Sequence, residues 1–417
     1  MNKKIENLYL ILFSFIPISI ILGSAVSLIN IFFISIVFLL FSIRLISKEL
    51  LKDPTIRLMI FMLIYLIFNS FIALDFETSV GRNFGFIRFI LLFLAINYFF
   101  AYSIKQESIY KIWFLIIFFV VIDSYIEFFA GKNILGYGAI DGLYGDRIVS
   151  FFKDEPIVGA YLNGFILILS GYILNEFFKK NFKYKVLSLS IVLLFLICVV
   201  ITGERSNTIK IVFGLFLFFY LSKNLNIKYK VISTLVVILF FSVAIMNSNY
   251  LKYRYGERLL LPLISESERE NFLNNSNYVN LYKSGIAVFK NYPIFGVGSK
   301  NYRVEIHKNR SNNDDYFINN HPHQIYFEFL AEHGIIGTTI LLYLLFALVF
   351  KKIKIIILSR NSIQLGCLIY LIISLLPILP SGSFFSDFNA TLFWLNFSIM
   401  YACNTQTNIF NKKTLNK

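Results

Sequence analysis

Apolar residues fall along this chain in long unbroken blocks, not in the alternating or one-sided patterns of water-facing strands and helices. Twelve such blocks run over roughly 8–23, 26–43, 56–74, 84–104, 110–130, 157–177, 186–202, 207–222, 231–248, 335–350, 363–380 and 385–403. Blocks near 20 residues predict helices that cross a bilayer, because a helix pairs its own backbone groups where no water is present. Only Gly23, Ser24 and Ala25 separate the first two, which predicts a tight hairpin. The eighth block is short and interrupted by Lys210, and Pro380-Ser381-Gly382-Ser383 predicts a turn between the last two. The expected fold is all-α and polytopic, with about 12 transmembrane helices. Residues 1–248 would hold helices one to nine and 335–417 the last three, with a large helical loop at 249–334.

Composition narrows the class further. Hydrophobic residues make up 57% of the 417 and charged residues only 15%, well below the charge of a soluble domain. A cytosolic enzyme, a secreted disulfide scaffold and a nucleic-acid-binding domain are excluded. Cys198, Cys367 and Cys403 all sit in apolar blocks, so neither a disulfide framework nor a CxxC metal site is available.

The net charge of +15 reads as topology. With a cytoplasmic N-terminus, the inner segments carry 22 Lys and Arg, among them Lys3, Lys4, Arg44, Lys179, Lys412, Lys413 and Lys417. The short outer loops carry five: Arg82, Lys132, Arg147, Lys153 and Arg205. That asymmetry predicts both termini inside. Membrane lipid is then the only partner the charge requires, and no nucleic acid is implied. Lys3 and Lys4 before an apolar run also fit a signal peptide, but a multi-span protein inserts without one, so retention of the first span is expected.

The loop at 249–334 holds ten Lys/Arg, nine Asp/Glu and all four His. A structureless segment of that length is unusual, so it should carry helices and the function. Residues 278–290 read as an amphipathic helix with Val279, Tyr282, Ile286 and Phe289 on one stripe, followed by Pro293 and a Gly296-Val297-Gly298 turn. Asn-rich polar patches lie near 274–280 and 311–320.

Charges inside the blocks are few and expensive. Arg88, Asp123, Glu127 and Lys210 cluster toward the outer side. They read either as a structural pair of Arg88 with Glu127 or as a polar floor beneath an outward cavity. Arg205, in the short corner Thr202-Gly203-Glu204-Arg205, reads either as an interfacial anchor or as a bidentate phosphate ligand at headgroup level. The richest stretch is His321-Pro322-His323-Gln324 through Gly334-Ile335-Ile336-Gly337. Pro322 suits the first position of a helix. His323 would then lie in the first turn, kept neutral by the helix dipole and able to act as a general base. A structural histidine is the alternative. A metal site is disfavoured because His321 and His323 would point apart in a helical turn and no carboxylate or Cys stands at ligand spacing. His307 and His333 read as bystanders.

These pieces, in this order, resemble the superfamily of O-antigen ligases and O-antigen polymerases. His321-Pro322-His323-Gln324 resembles its His-x-His-Asn segment, and His323 followed by ten residues and then Gly334 fits its His-x10-Gly spacing. Asn291 through Gly298 resembles its Pro-x-x-Gly-x-Gly stretch, Thr202–Ser206 its Thr-x-x-Arg corner, and Arg147–Leu162 the segment leading into span six. The resemblance covers about 140–350. Gln324 departs from the usual Asn, and Tyr278 or a neighbour stands where an Arg often precedes the amphipathic helix of the loop.

The resemblance implies a GT-C-like integral-membrane glycosyltransferase in the bacterial inner membrane. It would transfer a glycan from undecaprenyl diphosphate at the periplasmic face, without metal or cofactor. His323 would take the acceptor proton. Arg205 would neutralise the departing diphosphate, helped by Arg147 and by Arg254 or Arg258, with His321 among the substrate-binding residues. The acceptor would be lipid A–core for a ligase or the next lipid-linked repeat for a polymerase, and the two are evenly balanced. The competing class is a 12-helix transporter or lipid-linked sugar flippase. Its long loop would lie inside and its halves would repeat, whereas here the long loop is outside and off-centre.

Overall fold

The computed structural model describes residues 1–42, 48–138, 147–153, 155–177, 180–310 and 315–410. Arg44, Lys179, Lys412, Lys413 and Lys417 of the charge count lie outside the described residues. So do Asp154 of the 147–162 stretch and part of the 311–320 patch.

Among the described residues the chain is helical throughout. It begins with α1 (Lys3–Ser14) and α2 (Ile16–Ile21), nearly continuous, then α3 (Ser24–Ser42) after the expected hairpin, where Gly23 takes φ +110°. There follow α4 (Lys48–Leu51), α5 (Pro54–Phe71), α6 (Phe76–Phe84), α7 (Ile87–Tyr102) and α8 (Gln106–Ala130). Asp53 and Asp75 cap α5 and α6 by accepting from Thr55 N and Glu77 N, the usual remedy for exposed first-turn donors. After the short 3-10 turn at Ser150–Phe152 come α9 (Val158–Phe177), α10 (Phe182–Ile201), α11 (Arg205–Leu221) and α12 (Ile227–Asn247).

Among the described residues, eight stretches are long and apolar enough to cross a membrane: Lys3–Ile21, Ser24–Ser42, Pro54–Phe71, Phe76–Tyr102, Gln106–Ala130, Val158–Glu176, Phe182–Ile201 and Ile227–Asn247. The protein is a polytopic helical membrane protein. Packing centres on α9, which meets α8, α10 and α11 and buries Phe165, Ile166, Leu167 and Ile168 completely. By contrast α12 exposes Leu235, Leu239 and Met246, a surface that only lipid or another apolar partner can cover.

The 249–334 segment carries helices as expected: α13 (Asn249–Leu251), a π-helix over Lys252–Leu260, α14 (Leu261–Ile264), α15 (Glu266–Asn275), α16 (Asn277–Asn291) and α17 (Tyr302–Asn309). The helix expected at 278–290 is α16, but its buried face is not the expected stripe: it buries Leu281, Ser284, Gly285, Ala287 and Val288, while Val279, Tyr282, Ile286 and Phe289 are only half-buried. The chain closes with α18 (Ile325–Phe350), α19 (Ile353–Leu358), α20 (Ser362–Ser374) and α21 (Asp387–Ala402). Helix α20 meets α9, α11, α18 and α21.

Helix α18 is broken at Gly334 (φ +61°), and the break is clasped by the Pro293–Gly298 turn. Val297 N donates to Ala331 O at 3.0 Å, Gly298 N to Glu332 O at 2.9 Å, and Ile335 N to Pro293 O at 2.8 Å. The two backbones run so close that a Cβ on Gly296 would overlap the backbone of Glu332 and His333, and one on Gly334 the carbonyl of Ile294. The two glycine-containing motifs are thus one structural joint between the loop and the next helix.

Three sequence expectations are corrected. The run at 363–380 stops being helical after Ser374, because Pro377 and Pro380 cannot donate backbone hydrogen bonds. The residues between α20 and α21 form a strap instead of a tight turn. Arg88 does not pair with Glu127: it pairs with Asp387, while Glu127 accepts from Val149 N at 3.0 Å and Ser150 N at 2.6 Å. The four charges also do not form one floor. Asp123 and Glu127 anchor the segment after α8 through Asn133, Ile134 and Ser150. Lys210 sits apart, its Nζ 3.5 Å from Pro380 O.

Candidate functional site

The site lies where the 249–334 segment meets the ends of α6, α9, α10 and α11. Helix α10 ends at Ile201, and Thr202 turns back to donate its hydroxyl to Val199 O at 2.7 Å. Glu204 is buried and accepts from Gly159 N at 2.5 Å and Asn207 Nδ2 at 2.7 Å. Burial pushes its carboxyl up to about 7, against the pull of those two donors and of Arg147. The corner is thereby tied to the start of α9, and Arg205 opens α11.

Three further arginines converge on Arg205. Arg147, Arg254 and Arg258 all lie within electrostatic range of it. A π-helix turns about once per 4.4 residues, so Arg254 and Arg258, four apart in the Lys252–Leu260 π-helix, project from nearly one face. Arg254 donates from Nε and Nη2 to Gly203 O at 3.2 and 2.8 Å. Arg205 Nη1 donates to Arg258 O. Arg258 Nε donates to Tyr253 OH at 3.0 Å. Among the described residues no carboxylate pairs with Arg205, Arg254 or Arg258. Like charges gathered this closely repel one another.

The His321-Pro322-His323-Gln324 segment folds differently from its sequence expectation. Helix α18 begins at Ile325, and Gln324 is its N-cap, accepting from Tyr326 N at 2.8 Å and Phe327 N at 3.2 Å. His323 therefore precedes the helix, in a left-handed turn with φ +55°. The capping task explains why Gln serves here: its side-chain oxygen is what the first turn needs. His323 still favours the neutral ring, but through burial and not through the helix dipole. Its rings are also not splayed: His321 and His323 lie with centroids 4.0 Å apart. His321 is pushed down to about 3 by burial, then by His323, Arg82 and Arg303. Among the described residues, the ring nitrogens of His323 have no hydrogen-bond partner, while its carbonyl accepts from Ser381 N in the strap at 2.8 Å.

Tyr278, in the first turn of α16, joins the two halves. Its ring meets that of His323 edge to face at 6.2 Å, and it lies within electrostatic range of Arg205. Tyr278 is thus near both the arginine cluster, through Arg205, and the histidine pair, through His323.

On the far side of the histidines is a layer the sequence reading missed. Arg82 of α6 stands 4.0 Å from Glu328 and 3.9 Å from Glu332. Glu328 holds the strap through Ser383 and through Phe384 N at 2.9 Å. His333, read as a bystander, is fully buried, with Tyr65 OH 3.1 Å from Nδ1 and Ser299 Oγ 3.5 Å from Nε2. The i, i+4 spacing of Glu328 and Glu332 was the available signal; their shared partner, some 250 residues away, was not. Among the described residues no group of three or more His, Cys, Asp or Glu side chains is placed to hold a metal ion.

Fold and site define a polytopic membrane protein with a cluster of arginines and a half-buried imidazole near Tyr278. Residues 190–342 match the family model described as O-antigen ligase, a span that includes the arginine corner, the π-helix, α16 and both histidines. The match makes this region similar to the O-antigen ligase family and supports glycosyl transfer of that general type. No curated protein matches the chain.

Proposed function

We propose that the protein transfers a glycan from undecaprenyl diphosphate to an acceptor hydroxyl at the periplasmic face of the bacterial inner membrane, with both termini cytoplasmic. The observation that carries this reading is the convergence of Arg205, Arg254 and Arg258, unpaired with any carboxylate among the described residues, across Tyr278 from His323. In the transfer, the acceptor oxygen forms a bond to the anomeric carbon while the bond from that carbon to the diphosphate oxygen breaks. His323 takes the acceptor proton. Arg205, with Arg147, Arg254 and Arg258, neutralises the charge that develops on the departing undecaprenyl diphosphate. His321 lies against His323 and shapes the acceptor side. Four arginines supply the positive charge that a divalent ion supplies elsewhere, so transfer proceeds without metal.

The same clamp and base serve a ligase, whose acceptor is lipid A–core, and a polymerase, whose acceptor is the next lipid-linked repeat. A deletion strain tests the activity and separates the two. Loss of a polymerase leaves core bearing a single repeat on a lipopolysaccharide gel. Loss of a ligase leaves bare core, with polymer retained on undecaprenyl diphosphate. An unchanged ladder rejects O-antigen as the substrate and directs the test to capsule.

A further inference from the structure

We propose that Tyr278 is the surface on which the donor's first sugar, the one bonded to the diphosphate, packs during transfer. The inference rests on the proposed glycosyl transfer and specifies who holds the reacting ring. In that reaction the anomeric carbon is bonded to the leaving oxygen and is approached by the acceptor oxygen. The leaving oxygen belongs beside the arginine cluster and the acceptor oxygen beside His323. The sugar that bears this carbon must therefore lie between them, and Tyr278 is near both: its ring meets His323 at 6.2 Å and it lies within electrostatic range of Arg205.

The surroundings of Tyr278 suit this task. The helix that presents it is held firmly. One turn on, Tyr282 packs on Phe327 with centroids 4.8 Å apart and donates to Ile378 O at 3.1 Å. Deeper in α16, Ser284 accepts from Tyr302 OH at 2.8 Å. Tyr278 itself is only half-buried, and its hydroxyl makes no hydrogen bond among the described residues. A fixed aromatic ring with an uncommitted face offers the apolar C–H side of a pyranose a packing partner at little entropic cost. The free phenol can reach a ring hydroxyl. A cation there would only add to the phosphate clamp, whereas an aromatic face distinguishes a sugar-bearing diphosphate from a bare one.

The test uses the purified full-length chain in lipid nanodiscs and two probes: undecaprenyl diphosphate alone, and undecaprenyl diphosphate carrying one N-acetylhexosamine. Tyr278→Ala should lose about 3–10-fold in affinity for the sugar-bearing probe while binding the bare diphosphate as the wild type does. Tyr278→Phe and Tyr278→Trp should stay within about threefold for both, because they keep the ring. Equal loss of both probes in Tyr278→Ala would mean that the residue only supports the fold, and unchanged binding of both would mean that the sugar does not touch it; either overturns the inference and leaves the glycosyl-transfer reading standing. If the wild type binds neither probe, the lipid-diphosphate reading fails, and this inference with it.

Discussion

Arg254 grips the carbonyl of Gly203 with two donors, Nε at 3.2 Å and Nη2 at 2.8 Å, and so couples the corner that launches Arg205 to the π-helix that carries Arg258. A lysine offers charge but no fork. Arg254→Lys should therefore lower transfer on the order of tenfold, the value of a charge-assisted hydrogen bond or two, while protein levels in the membrane stay normal. Wild-type transfer in that variant, scored by ladder density per unit protein, would mean that the grip on Gly203 does not position the clamp.

In the proposed transfer Arg205 meets the phosphate directly. Arg205→Ala should abolish transfer, and Arg205→Lys should recover little of it, because an ammonium cannot reproduce two parallel bonds to a phosphate. Complementation of a deletion strain gives the readout. Full recovery by the lysine variant would reduce Arg205 to an interfacial anchor.

The clasp at Gly296 and Gly334 makes a stability prediction independent of chemistry. Both residues have positive φ, at +70° and +61°, and both would drive a Cβ into neighbouring backbone. Either change to Ala should cost roughly 2 kcal/mol or more, seen as a lowered unfolding temperature and reduced protein in the membrane. A variant with unaltered stability would show that loop and helix can separate here without penalty.

Acid should loosen the site. His321 is held at about 3, below its ordinary 6.5, so the folded state binds fewer protons than the unfolded chain between those values. The stability it contributes is complete above pH 6.5 and is lost progressively as pH falls toward 3. Thermal unfolding in detergent should shift downward from pH 7 to pH 5, and His321→Gln should flatten that slope. His323 is also lowered by burial. Transfer should therefore persist into the range where a free imidazole is half protonated, around pH 6.5; a sharp loss there would contradict a neutral, buried base.

The helical frame was legible because the bilayer demands long apolar runs, and every one of the twelve runs carries a helix in the structure. The helix at 278–290 was legible because its period is local, but its buried face was not: α16 buries Leu281, Ser284 and Val288 instead of Val279, Tyr282, Ile286 and Phe289, because the contacts that choose the face come from distant segments. What sequence could not show is set by distant partners. Arg88 finds Asp387 across about 300 residues, and Arg82 finds Glu328 and Glu332 across a comparable gap. His323 was expected in a helical turn because Pro322 favours one, but with Gln324 as the cap the helix starts three residues on, at Ile325. His333 looked idle because Tyr65 and Ser299, which bury it, lie on segments no local pattern connects. The arginine cluster was half legible: the short corner singled out Arg205, while Arg254 and Arg258 were reached only through the resemblance, because the π-helix that gathers them leaves no sequence periodicity to read.

The central claim is that this pocket breaks a sugar–diphosphate bond with His323 as the base and arginines in place of metal. The most direct measurement is release of undecaprenyl diphosphate from a radiolabelled lipid-linked glycan by the purified chain, with acceptor present and EDTA added. The account predicts glycan transfer and undecaprenyl diphosphate release in EDTA, and loss of both by about 10²–10⁴-fold in His323→Ala. Undiminished transfer by His323→Ala, or transfer that requires an added divalent metal, would contradict it.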